Sequence, residues 1–161
     1  VTQPALISQE LVPLIESGVS VLVGSRDAEL VPEAMRGMGV RVEPGQAEVT
    51  VFLPAATAAR TLSNLRATRR LAVCCSRARD HRGIQLKGEV ISDRPADDAD
   101  RRFVERYQQS LVESWTQVGV PPRITLRIAH WPCHAVRLRV TSLFVQTPGP
   151  GAGEALVAPS R

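Results

Sequence analysis

The 161-residue sequence contains one lysine, Lys87, three cysteines, three histidines and few aromatic residues, which make up 4% of the chain. Each shortage excludes something. Cys74 and Cys75 are adjacent and Cys133 is remote, so there is no CxxC pair and no disulfide framework. His81, His130 and His134 are isolated, and Cys133-His134 offers a metal two ligands at most, so no structural zinc site is expected. No apolar run nears the roughly 20 residues of a membrane span. The first residues, VTQPALISQELVPLIESG, lack the basic and apolar regions of a secretory signal. A cytoplasmic protein without membrane attachment is the expectation. A Walker loop, a Ser-His-Asp set and a recognisable pair of catalytic carboxylates are all missing, so the sequence names no general acid or base.

What is present is ordinary in bulk and uneven in detail. With 43% hydrophobic and 22% charged residues, the chain can bury a core as a single domain. The net charge is +4, and apart from Lys87 every basic residue is arginine, a bias that reads as compositional habit. The arginines cluster between Arg60 and Arg82, where seven of them face one acid, Asp80. Arginine presents a planar fork of donors suited to phosphate, so the patch suits a phosphorylated small molecule or a nucleic-acid backbone. With so few rings for bases to stack on, nucleic acid is the weaker reading.

Along the chain, PALISQELVPLIESG has helical spacing and stops at Gly18. VSVLVGSRD is a strand whose near-continuous apolar run predicts burial on both faces. LVPEAMRGMGVRVEP reads as one long strand with Gly37 and Gly39 inside it, marking a bulge or a close approach to the backbone. EVTVFLP, RLAVCCSR and GIQLKGEVIS are further strands. ADDADRRFVERYQQSLVESWTQVG is the clearest helix, with Phe103, Tyr107, Leu111, Trp115 and Val118 on one stripe and Asp97, Asp98 and Asp100 at its positive end. RITLRIAHW and HAVRLRVTSLFVQ alternate as two final strands, and residues 147–161 form a Pro/Gly-rich tail. Strands joined mainly by short turns predict an antiparallel barrel, mainly β with flanking helices.

One short helix is unusual. It follows EVTVFLP, with Thr57 as its expected N-cap and Leu62 and Leu65 facing inward. Arg60 then occupies the first turn, where the helix dipole favours an acid, and the neighbouring sequence supplies none.

This order of elements resembles the FMN-binding split β-barrel family that includes pyridoxamine 5′-phosphate oxidase, over roughly residues 11–146. The resemblance implies a homodimer with FMN in a groove between subunits, its phosphate held by basic residues of the second strand and of the turn and short helix after the third. By position, Arg36, Gly37 and Met38 match the second-strand segment and Pro54-Ala55 the flavin edge. Ala59-Arg60-Thr61 stands where the family has Ser-Arg-Lys, and Arg82-Gly83-Ile84 where it has Arg-Gln-Val, so a lysine and a glutamine are replaced. A phosphate near Thr57 and Arg60 would supply the negative charge that the helix lacks.

The resemblance implies residues 1–146 as one FMN-binding domain, and an FMN-dependent oxidoreductase acting on a small molecule. In such enzymes the cofactor carries the chemistry, which fits the missing acid and base. The alternative is a non-enzymatic module of the same fold that holds flavin or haem. Deazaflavin is a further cofactor in the family, and His130 and His134 are the residues weighed for haem. Cys74 and Cys75 point to opposite faces of their strand, so at least one is expected in the core.

Overall fold

A computed structural model describes residues 6–157. Within that span the chain runs α1 (Val12–Glu16), β1 (Ser20–Arg26), β2 (Pro32–Gly37), β3 (Val40–Val42), β4 (Glu48–Pro54), α2 (Ala59–Thr68), β5 (Arg70–Ser76) and β6 (Gly83–Pro95). It continues through α3 (Asp98–Thr116), α4 (Pro122–Thr125), β7 (Cys133–Val145) and β8 (Ala155–Val157). The ladders are antiparallel, in the order β2-β1-β5-β6-β7-β4-β3, with β8 added to β7. The two ends of this sheet are one chain segment, because β2 runs into β3, and the sheet therefore curls into a barrel. Two bonds seal the seam: Met38 N–H donates to the Phe52 carbonyl at 2.8 Å, and Phe52 N–H to the Gly39 carbonyl at 3.0 Å.

The single long strand expected over residues 30–44 is thus two strands, broken at Met38-Gly39. Gly39 has φ of +138°, and a Cβ there would lie 3.1 Å from the Tyr107 ring, so the kink needs glycine on both counts. Beyond the seam β2 and β4 part, leaving an opening between them.

The barrel interior is filled by alternate residues of each strand: Val21 and Val23, Val49 and Val51, Leu71 and Val73, Leu86, Leu138 and Val140 among them. β1 is buried on this face only; Leu22, on its other face, is 50% exposed, so the expected burial of both faces does not hold. The strand buried on both faces is β4, whose Phe52 turns outward into a second cluster with Met38, Val104, Leu111 and Cys133. That cluster packs α3 onto the outside of the barrel. In the stripe of α3, Tyr107 and Leu111 are buried, while Val118, beyond the end of the helix, is 44% exposed. α3 starts as its acids predict, with a capping box in which Asp97 and Asp100 bond each other's backbone N–H. Asp100 is buried and also ties the helix to the barrel, accepting from Arg41 Nη1 at 2.9 Å and Arg94 Nη2 at 2.7 Å.

Two further expectations need correction. The N-terminal helix is only the turn Val12–Glu16. Residues 123–131 are not a strand: Pro122–Thr125 is a one-turn helix, followed by turns, and Ile124 and Leu126 are about half exposed. The Pro/Gly-rich tail contributes a strand, Ala155–Val157, that pairs with β7; its last four residues lie outside the described span. Of the two adjacent cysteines, Cys75 is in the core and Cys74 is half-buried on the outer face. No helix among the described residues is long and apolar enough to cross a membrane.

Candidate functional site

Where β2 parts from β4, a groove of about 310 Å³ opens, lined by Glu33, Met35 and Arg36 of β2, Pro54 at the end of β4, Thr57, and the Ile128-Ala129 turn after α4. The helix α2 closes the barrel next to it, burying Leu62 and Leu65 and donating from Asn64 Nδ2 to Ser25 Oγ of β1 at 3.0 Å.

Arg36 is the chemically distinctive residue of this groove. Its strand position pairs it with Leu22, so it points to the outer face of the sheet. Its guanidinium donates to Ser20 Oγ at 3.0 Å and lies 5.2 Å from the ring of Trp115 on α3. Burial lowers its pKa, the sign of a cation partly stripped of water. Among the described residues it has no carboxylate partner. The other partly buried arginines, Arg41, Arg77 and Arg139, each have one. With one of its five N–H groups on Ser20, Arg36 keeps donors free for an anion.

The acid missing from the first turn of α2 comes from elsewhere in the fold. Arg60 Nη1 lies 3.4 Å from Glu33 Oε2, so the strand β2 supplies the countercharge that the local sequence does not. Thr57 does not cap the helix: Ala58 holds the N-cap position without a side-chain bond, and Thr57 Oγ1 donates weakly to the Pro54 carbonyl at 3.4 Å.

The other expected site residues are placed as follows. Ala55 is exposed just past Pro54, its N–H donating to the Pro132 carbonyl at 2.8 Å. Gly37 faces the barrel interior, where a Cβ would meet Val21 at 2.8 Å, and Met38 is wholly buried in the α3 cluster, so neither presents a side chain to the groove. Thr61 is buried, and its hydroxyl finds no partner. Arg82 is exposed in the turn before β6, its N–H held by Asp80. Gly83 is bonded to Thr147 and does not line the groove. It is nevertheless on the same sheet face as Ser20: the register Ser20↔Ser76↔Gly83 puts it two strands away, about 10 Å at the usual spacing. Arg36 and Gly83 therefore flank one row across the end of the sheet.

The sequence reading did not reach Glu33, Trp115 or the Ile128-Ala129 wall. Glu33 precedes the second-strand segment in the same strand, but nothing local ties it to Arg60, and Trp115 sits at a position of the α3 stripe that reads as core. Of the residues weighed for haem, His130 has its Nδ1 3.1 Å from Gln108 Nε2, and no cluster of three metal-ligating side chains occurs among the described residues.

A larger concavity lies elsewhere. A shelf of about 590 Å³ runs over the outer sheet face, with Gly24 and Ala72 in its floor and Arg26, Arg70 and Lys87 around it. Size favours this shelf as a ligand site. Its cations, however, are exposed and solvated, whereas the smaller groove contains the desolvated one.

No family model matches the sequence, and no curated protein matches it either. Solved structures do match in shape. HupZ of Group A Streptococcus superposes with a TM-score of 0.57 at 16% identity, over 92% of this chain and 100% of that one. A protein of Lactobacillus delbrueckii assigned as a pyridoxamine 5′-phosphate oxidase gives 0.55 at 12% identity, over 86% and 93%. An FMN-binding protein from Syntrophomonas wolfei gives 0.53 at 12%, over 88% and 89%. At these identities the likeness concerns the course of the backbone. The chain has the antiparallel split-barrel fold of the pyridoxamine 5′-phosphate oxidase-like proteins.

Proposed function

We propose that the protein binds FMN at the β2–β4 groove and acts as a flavin-dependent oxidoreductase on a small molecule. The observation that carries this reading is Arg36, a half-buried guanidinium that lines the groove and, among the described residues, is paired with no carboxylate. A desolvated cation of this kind is satisfied by an anionic ligand, and a phosphate accepts from its fork of donors. The groove fits such a group. Arg36 would hold the phosphate with Arg60 at the helix edge, and Pro54 and Ala55 would border the ring. A groove of 310 Å³ is at the lower end of sites for ligands of this size, so FMN would extend beyond it, along the sheet face towards Gly83 and Arg82. Bound flavin would supply hydride and electron transfer, and the protein would bind and orient it.

A second copy of the chain is the partner this reading implies. On the outer face Leu22 stands half exposed between Arg36 and Cys74, with the small residues Ala34, Gly24 and Ala72 next along β2, β1 and β5. Such a face of small residues suits burial against its own copy. Residues 1–146 would then form the cofactor-binding domain.

The test is an absorption spectrum of the purified protein from about 300 to 700 nm, with any released cofactor identified by chromatography. Flavin bands support the reading, and reduction by NADH or NADPH supports the enzyme. Bound flavin that neither donor reduces favours a non-enzymatic module. A Soret band or a deazaflavin spectrum would replace FMN with that cofactor. A colourless protein that ignores added FMN would refute the flavin reading.

A further inference from the structure

We infer that Glu33 is an intramolecular competitor of the ligand's anion for Arg60, and so sets how strongly the groove distinguishes a phosphorylated ligand from an unphosphorylated one. The inference rests on the anion-site reading above and concerns a residue that reading does not use. Glu33 lines the groove, and its carboxylate lies 3.4 Å from Arg60 Nη1. Its side chain is 24% exposed, against 55% for Arg60, so the acid is the more buried of the two.

The charged side chains lining the groove are Arg36 and Glu33, on opposite faces of β2, and Arg60 joins them through its pairing with Glu33. The acid does not reach Arg36, which bonds Ser20, but it neutralises Arg60. A phosphate approaching the start of α2 meets a guanidinium already engaged and a carboxylate of its own sign. To bind Arg60 it must displace Glu33, and the displaced carboxylate then stands close to it. Only Arg36 is available without such a cost. A neutral ligand of the same shape makes no claim on Arg60 and is indifferent to Glu33.

The experiment is a fluorescence titration of FMN and of riboflavin, at one fixed ionic strength, into wild type, Glu33→Gln, Arg60→Gln and the double variant. Fixed salt matters because exposed pairs are screened. Glutamine keeps the size of Glu33 on a partly exposed edge strand and removes the charge. Glu33→Gln is expected to bind FMN about two- to fivefold more tightly, the range of an exposed ion pair, with riboflavin unchanged. In the Arg60→Gln background the gain from Glu33→Gln should fall away. If wild type prefers FMN to riboflavin but Glu33→Gln binds FMN no better, Glu33 does not compete and the inference fails while the anion site stands. An equal gain for riboflavin also overturns it. If no form prefers FMN to riboflavin, both the inference and the anion site fall.

Discussion

Replacing Asp100 by asparagine removes one negative charge from a position that has 2% of its side chain exposed and two guanidinium partners, Arg41 at 2.9 Å and Arg94 at 2.7 Å. Taking one partner from a fully buried pair costs about 3–5 kcal/mol. Here the arginines keep 30% and 47% of their side chains in solvent, so part of the loss is recovered by hydration, and about 2–3 kcal/mol is expected. For a chain of this size that is about 5–10 °C in Tm. The dependence on pH gives a second handle. Burial alone would raise the Asp100 pKa, but the bonds from Arg41, the Asp97 N–H and Arg94 outweigh it and hold the carboxyl below its ordinary value. An acid depressed in the folded state contributes stability above its unfolded pKa of about 3.9, and loses it as the pH falls through the lower folded value. The gap between wild type and Asp100→Asn should therefore be full at pH 7 and shrink below about pH 4. Urea unfolding followed by circular dichroism, at one protein concentration and a series of pH values, measures this. A loss under about 1 kcal/mol at pH 7, or a gap that does not change with acid, would refute the view that Asp100 fastens α3 to the barrel as a charged group.

Two other outcomes follow from the packing of the barrel. Leu22→Glu places a charge in the middle of the small-residue face; it should leave the monomer folded and convert a dimer to monomers in light-scattering chromatography, and an unchanged dimer would move the interface elsewhere. Thiol alkylation at pH 8 should be slow at all three cysteines and fastest at Cys74, since burial pushes Cys75 and Cys133 up to about 12, helped by the neighbouring Cys74 and Asp100 respectively. Mass mapping that found Cys75 or Cys133 modified first would contradict their placement in the core.

The order of strands and helices was legible because the long-period signals are strong: the α3 stripe, its acidic start, and the apolar strands β1, β4 and β7. What failed did so for local reasons. RITLRIAHW alternates like a strand, but Ile124 and Leu126 are about half exposed, so period alone misled. The kink at Gly39 was visible as a glycine inside a strand, yet the ring of Tyr107 that fixes it belongs to a distant helix. Leu22 looked like core because an apolar residue on an exposed sheet face has the same letter as one in a barrel. The candidate site divides the same way. Arg36 and Pro54 line the groove, and Arg60 meets it through its ion pair with Glu33. The partner of Arg60, the ring beside Arg36 and the burial of Gly37, Met38 and Thr61 are products of tertiary packing, which no motif in this sequence records.

The groove's identity as an anionic-flavin site turns on Arg36, and the most direct measurement is a titration of FMN and riboflavin into wild type and Arg36→Gln under matched salt. The account predicts that wild type prefers FMN, and that the variant loses about 10- to 100-fold in FMN affinity, as for a charge-assisted hydrogen bond removed from a partly buried site, while riboflavin binding changes little. Equal affinities for the two flavins in wild type, or an Arg36→Gln variant that binds FMN as well as wild type does, would contradict it.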